Sequence, residues 1–195
     1  MISGKKFILA SGSPRRRELI SRYIKDFEVI CADADESIPT GTDARDAVKM
    51  LAGRKAHAVK GITGDKNLII LAADTVVAID GEILGKPSDR ADAVRMLKKL
   101  TGAEHEVCTG VCVISDGKEK CGVSVTKVRM RASDESEIQR YTDSGECDDK
   151  AGAYAVQGIG EGFVESIDGS YSGVVGLPLA LTDSLLKEVC GEGLI

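Results

Sequence analysis

Leu68-Ile-Ile-Leu-Ala-Ala-Asp-Thr-Val-Val-Ala-Ile79 places one carboxylate, Asp74, in the middle of an otherwise almost wholly apolar run. A run this rich in Ile, Val and Leu reads as a strand covered on both faces, and the α/β reading of the chain rests on it. An ionised Asp in such a strand is strongly unfavourable unless a cation, a donor network or a water-filled cleft receives it. A carboxylate also occurs where a strand leaves its sheet, to bond a turn or cap a helix. Here Thr75–Ile79 continues the strand beyond it. Asp74 is therefore read as a site carboxylate.

Strand and helix signals alternate around this segment. Phe7–Ser11 reads as a strand, and Pro14–Ile24 as a helix with Ser13 at its N-cap and Pro14 at its first position. Phe27–Cys31 is a second strand, followed by a polar loop with Pro39 and Gly41. Asp43–Lys60 carries Ala47, Val48, Leu51, Ala52, Ala56 and Val59 at helical spacing and ends near Gly61. The central strand turns at Asp80-Gly81 into Glu82–Leu84. Ser88 or Asp89 caps a helix to about Leu100, closed by Gly102, and Glu106–Ile114 and Lys120–Met130 form a long hairpin around Asp116-Gly117. Glu135–Ser144 is a short helix stopped by Gly145. Gly162–Ile167 and Tyr171–Val175 suggest a last hairpin about Asp168-Gly169, and Leu181–Val189 a closing helix. With no linker, repeat or low-complexity tract, residues 1–195 read as one α/β domain. The expected architecture is a mixed sheet flanked by helices, in two lobes around a cleft.

The chain is long enough to bury a substantial core, and its 43% hydrophobic and 29% charged residues are ordinary for a globular protein. No apolar run reaches the length of a membrane span, and Met1-Ile-Ser-Gly-Lys-Lys6 leads into an apolar stretch too short for a signal peptide. These readings point to a cytoplasmic protein. A net charge of −5 argues against general nucleic-acid binding, which needs a broad basic surface, but not against a phosphate ligand. The six cysteines, at 31, 108, 112, 121, 147 and 190, form no Cys-x-x-Cys, and there are two His. That pattern argues against a zinc site and for reduced, mostly buried thiols. His57 reads as a helix-surface residue, and nothing near His105 suggests a triad.

Four segments can carry chemistry. Ser11-Gly-Ser-Pro-Arg-Arg-Arg17 sits where a strand feeds a helix N-terminus, so free N–H groups, the helix dipole and guanidiniums all favour an anion. Cations at that end of a helix are unfavourable unless something negative compensates them. Arg16 lies over the middle of the Leu19, Ile20, Tyr23 and Ile24 stripe, with Arg15 and Arg17 on opposite flanks. Geometry leaves open which of the two joins it. Gly85-Lys-Pro-Ser-Asp89 follows a strand paired with that of Asp74, which brings Lys86 near it, while Asp89 can cap a helix or help hold a metal. Asp33, Asp35 and Glu36 form an acidic loop near the first turn, either solvated or at the site. In Asp148-Asp-Lys-Ala-Gly-Ala-Tyr-Ala-Val-Gln-Gly158, small residues let backbone approach a ligand, Lys150 offers charge and the Gln157 amide can pair with a base edge.

Taken together, the chain resembles the Maf family of nucleoside triphosphate pyrophosphatases. The resemblance rests on Leu9–Leu19, Ala73–Val77, Gly85–Asp89, Thr101–Gly110, Asp149–Gly158 and Gly169–Pro178, in that order and over nearly the whole chain. It implies an elongated α/β fold related to that of inosine triphosphate pyrophosphatases. It implies hydrolysis between the α and β phosphates, with a divalent metal, Mg²⁺ or Mn²⁺. By position, Asp74 matches the family's proton acceptor, and Arg15, Thr75 and Gln157 match its specificity positions, which selects Arg15 over Arg17. Lys55, Lys86, Asp89 and Lys150 fall on positions around the phosphates, with Ser11 and Ser13 in the phosphate-binding turn. The metal would be shared among Asp33, Glu36, Asp74 and Asp89. Asp33 is a departure, because the family often has the longer Glu there, and this weakens the carry-over to that position. Asp149–Gln157 looks like the dTTP/UTP branch rather than the one acting on 7-methyl-GTP. A homodimer is compatible with the family.

The mechanism this implies has Arg15, Arg16 and the helix N-terminus holding the triphosphate, aided by Lys86. Asp74 takes a proton from the attacking water, and Gln157 and Thr75 orient the nucleotide. Modified pyrimidine triphosphates are further candidate substrates. A non-catalytic nucleotide-binding regulator, for example in cell division, is the rival reading from another class. A nucleic-acid-binding module is a third, disfavoured by the acidic charge and by only four Tyr and three Phe.

Overall fold

The computed structural model describes residues 4–64 and 67–195, so residues 1–3 of the amino-terminal segment read above lie outside it. In chain order the elements are β1 (Lys6–Leu9), α1 (Pro14–Ser21), β2 (Glu28–Val29), α2 (Ala44–Thr63), β3 (Leu68–Ile79), β4 (Glu82–Leu84) and α3 (Arg90–Leu100). They continue with β5 (Glu104–Ser115), β6 (Lys118–Met130), α4 (Glu135–Asp143), β7 (Val164–Asp168), α5 (Tyr171–Val175) and α6 (Leu179–Cys190). Short 3₁₀ turns at Ala151–Ala153 and Ile159–Phe163 interrupt the segment between α4 and β7. Among the described residues no helix is long and apolar enough to cross a membrane.

Among the described residues seven strands form one mixed sheet in the order β2-β1-β3-β5-β6-β7, with β4 also paired to β3. Both faces of β3 are covered, as its composition requires. Leu68, Ile70 and Ala72 pack with Ala52, Ala56 and Val59 of α2, while Ile69, Leu71 and Ala73 pack with α1 and α6. Further along, Val77 and Ile79 join Ala93, Met96, Leu97 and Leu100 of α3 in a separate core.

One property of the sheet decides where a ligand can enter. β5 pairs with one edge of β3 continuously from Ile69 to Ala78. On the other edge β1 pairs only with Leu68–Leu71, and β4 only with Val77–Ile79. Among the described residues, 72–76 therefore face no strand on that side. β1 ends because Ala10, after a last bond from its N–H to the Leu71 carbonyl, leads into the Ser11–Ser13 turn. Asp74 and Thr75 are partly exposed at this opening, within a strand otherwise largely buried.

The last hairpin expected from sequence is not formed. Tyr171–Val175 is a helical turn, not a strand, although its two valines favour β structure. The Ser170 hydroxyl accepts the N–H of Gly173 and so caps it, while Ser172 Oγ accepts the N–H of Leu179. Local capping wins over propensity here. The other differences are at element ends: α1 stops at Ser21 and β2 is two residues long.

α2 sits unusually close to the sheet beside Asp74. Its buried stripe is rich in alanine, and its partner on β5 is Gly110, the residue directly opposite Asp74. A Cβ on Gly110 would stand 2.2 Å from the Val48 carbonyl oxygen and 2.8 Å from the Lys49 nitrogen. Both atoms are backbone, so the helix itself would have to move. Gly110→Ala is expected to lower the unfolding free energy by about 1–3 kcal/mol, the usual scale of overpacking, in urea denaturation. An unchanged midpoint would mean that α2 is not seated this tightly.

Candidate active site

The opening in the sheet forms the floor of a cleft of about 580 Å³. Ser11, Ser13, Arg15, Arg16, Glu36, Lys55, Asp74, Thr75, Lys86, Lys150 and Gln157 all line it. Arg15 lines it and Arg17 does not. Asp33 and Asp89 are not among the lining residues. Asp89 instead caps α3, its Oδ1 accepting the N–H of Asp92 at 2.8 Å, and Asp33 is exposed.

On the α2 side of the sheet, Lys55 joins two acids. Its ammonium bonds Asp74 Oδ1 and lies 2.8 Å from Glu36 Oε1. The Lys55 bond, with further help from Lys86 and Arg16, holds the Glu36 carboxyl below its ordinary range. The bond to Asp74 uses Oδ1, so Oδ2 is the oxygen that can face a ligand.

On the other side, Arg16 holds three elements together. Nε donates to the Gly176 carbonyl at 2.8 Å, Nη1 to Ser11 Oγ at 3.1 Å and Nη2 to Thr75 Oγ1 at 3.1 Å. Thr75 is in turn 3.0 Å from Thr109 Oγ1, whose own proton goes to the Gly173 carbonyl at 2.9 Å. The donor order is thereby fixed: Arg16 donates to Thr75, and Thr75 to Thr109. Thr75 can meet a ligand only as an acceptor or through its methyl group. A guanidinium has five N–H donors, so Arg16 keeps two for a ligand beyond these three bonds.

The far wall is the segment 149–157. The Gly152 N–H donates to the Gly85 carbonyl at 3.0 Å, which ties this wall to the turn carrying Lys86. Gly152 also approaches β3 so closely that a Cβ would lie 2.8 Å from the Val77 side chain. Lys150 pairs with Asp149. Two residues that sequence reading missed hold Gln157 in place. Glu146 accepts the N–H groups of Ile159 and Gly160 at 2.9 and 2.8 Å, and the Tyr141 hydroxyl accepts that of Ala155 at 3.1 Å. Neither has a local sequence signal, because each acts across 13 to 14 residues of chain.

Five cations (Arg15, Arg16, Lys55, Lys86 and Lys150) and three carboxylates (Glu36, Asp74 and Asp149) line the cleft. The cleft is locally cationic in a chain of net charge −5. With the capped N-terminus of α1 on one wall, it is built for a polyanion. Glu36 and Asp74 add hard oxygen donors of the kind that Mg²⁺ takes together with substrate phosphates.

The chain is similar to several known proteins. Residues 6–189 match the family described as Maf-like protein. A "dTTP/UTP pyrophosphatase" from Hahella chejuensis is 49% identical over 185 residues, covering 94% of this chain and 92% of the relative. One of the same name from Thermococcus kodakarensis is 49% identical over 174 residues, covering 89% and 92%. Among solved structures, the Staphylococcus aureus Ham1 protein is similar with a TM-score of 0.49 and 15% identity, over 95% of this chain and 91% of that one.

Beneath the far wall, His105 Nε2 lies 2.9 Å from the Tyr154 hydroxyl, and the two rings meet edge to face at 5.5 Å. Both residues are buried, and His105 Nδ1 has no partner among the described residues. Burial pushes the imidazole from an ordinary 6.5 down to about 4. Because the folded value is the lower one, the unfolded chain binds more protons between these limits. Stability should therefore fall as pH drops from 6.5 to 4, by about 3 kcal/mol from this group. Unfolding wild type and His105→Gln at pH 7 and pH 4 tests this: the variant should lack that loss, and equal losses in both would refute it.

Proposed function

The chain belongs to the Maf family, and from that membership we propose that it is a nucleoside triphosphate pyrophosphatase acting on dTTP and UTP, with Asp74 as general base. The observation that carries the reading is Asp74 bonded to Lys55 at the opening in the sheet, facing a cationic turn across the cleft. The reaction releases the nucleoside monophosphate and pyrophosphate.

Arg15, the two remaining donors of Arg16 and the α1 N-terminus bind the triphosphate, with Lys86 and Lys150 on the opposite side. Water attacks the α phosphorus, the bond to the α–β bridging oxygen breaks, and its electron pair leaves with pyrophosphate. One water proton passes to Asp74 through the oxygen that Lys55 does not engage. Lys55 balances the carboxylate before transfer and holds its orientation. Gln157 offers an amide donor and acceptor to the base, and Thr75 an acceptor only. Asp74 and Glu36 would hold a divalent cation, Mg²⁺ or Mn²⁺, which supplies charge compensation at the phosphate oxygens. Asp33 and Asp89 are not among the residues that line the cleft.

Pyrophosphate release across a panel of normal and modified triphosphates tests the reading, with dTTP and UTP expected to be turned over fastest. 7-Methyl-GTP should be a poor substrate, and preferential turnover of it would overturn the pyrimidine assignment. Asp74→Asn should lower kcat by about a hundredfold or more, the scale of a lost general base, with an unchanged melting curve. Near-normal turnover would remove Asp74 from the role.

A further inference from the structure

Cys112 on β5 and Cys121 on β6 stand directly opposite each other in the hairpin register. Cys112 also faces Ala72 of β3, and it directs its backbone bonds to that strand, as Asp74 and Ala72 do to β5. Its pairing with Cys121 is therefore of the non-hydrogen-bonded kind, in which the two side chains stand closest, with Cα atoms about 4.5 Å apart. The sulfurs are 2.7 Å apart. Glu119, two residues before Cys121 and on the same face, brings Oε1 to 3.8 Å from Cys112 Sγ and 3.7 Å from Cys121 Sγ. Its other oxygen lies 2.8 Å from His57 Nε2 of α2. Among the described residues this is the one place where three ligating side chains converge within 4.8 Å of one another. None of the three lines the cleft.

We propose that Cys112, Cys121 and Glu119 bind one thiophilic divalent cation of the zinc type, with His57 orienting the carboxylate and the fourth position left to water. Zn–S bonds of about 2.3 Å and Zn–O bonds of about 2.0–2.2 Å define a tetrahedron with S···O edges of about 3.6 Å and an S···S edge of about 3.8 Å. Both S···O distances already match. The sulfurs must part by about 1 Å, which rotation of the Cys121 side chain, in a partly exposed position, provides. The donor set is the soft-plus-carboxylate mixture that suits zinc, whereas the acids of the cleft, Glu36, Asp74 and Asp149, offer hard oxygens. Binding releases the thiol protons. Because His57 belongs to α2 and the ligands to the β5–β6 hairpin, the ion would clip that helix to the sheet two residues past Lys55.

Anaerobic titration of the reduced, metal-stripped, full-length protein with Co²⁺ tests this. One equivalent should produce sulfur-to-cobalt charge-transfer absorption with tetrahedral d–d bands, and Zn²⁺ should bleach both. Oxygen ligands in the cleft give no such charge-transfer band. Cys112→Ser/Cys121→Ser should lose it, which separates the site from Cys31 in the cleft, and Glu119→Gln should weaken it without touching a thiol. His57→Ala should reduce Co²⁺ affinity by about ten- to a hundredfold, the scale of a lost outer-shell partner. Absence of the band in wild type would overturn the proposal, as would its persistence in the double variant. A Cys112–Cys121 disulfide that withstands reductant and excludes the ion would do the same. None of these readouts depends on turnover, so their failure leaves the pyrophosphatase reading standing.

Discussion

The bond between Lys55 and Asp74 is the interaction around which the rest of the site is arranged. An apolar strand cannot hold an unpaired carboxylate, and a partner brought in from the surface would ordinarily be kept out by neighbouring strands. The sheet solves both problems by leaving residues 72–76 without a neighbour on one edge. Lys55 reaches Asp74 from α2, and α2 can come that close because Gly110, the residue paired with Asp74, carries no side chain to push it away. The position of one charge thus depends on helix packing, strand register and a single glycine.

The opening also joins the two faces of the sheet. Asp74 projects toward α2 and Thr75 toward α1 and α5, because successive residues of a strand alternate. Arg16 closes the second face by bonding Ser11, Thr75 and the Gly176 carbonyl together. It is less a free phosphate-binding arm than a bracket that also has two donors to offer. Arg15 also lines the cleft, and among the described residues it makes no hydrogen bond of this bracketing kind.

How much of this was legible in the sequence depends on how far each determinant reaches along the chain. The strand around Asp74, the capped turn at Ser13-Pro14 and the stripe of α2 are local patterns, and the structure forms each where it was read. Asp89 shows the limit of a local signal, since an Asp before a helix looks the same whether it caps or binds metal. Here it caps. Tyr171–Val175 shows another, because its valines speak for a strand while Ser170 and Ser172 bind the backbone as a turn. Glu146 and Tyr141 left no trace at all, since their partners lie 13 to 14 residues further along the chain. Cys112 and Cys121 were read as separate buried thiols because spacing rules look for Cys-x-x-Cys. Their meeting is set by hairpin register, which puts residues nine apart face to face.

Strand alternation carries one consequence further. The Leu71 carbonyl points to β1, accepting the N–H of Ala10, so Ala73 and Thr75 direct their own N–H and carbonyl groups the same way, into the opening. Asp74 directs its backbone oppositely and is paired with Gly110. The carboxylate is therefore held by a stretch of backbone paired to β5, while its two neighbours turn toward the cleft peptide groups that meet no strand among the described residues. Buried peptide groups require partners, and here water or a ligand must supply them. A site of this kind does not need a flexible loop to become polar. The interruption of the ladder makes it so, beside a base that the same ladder keeps rigid.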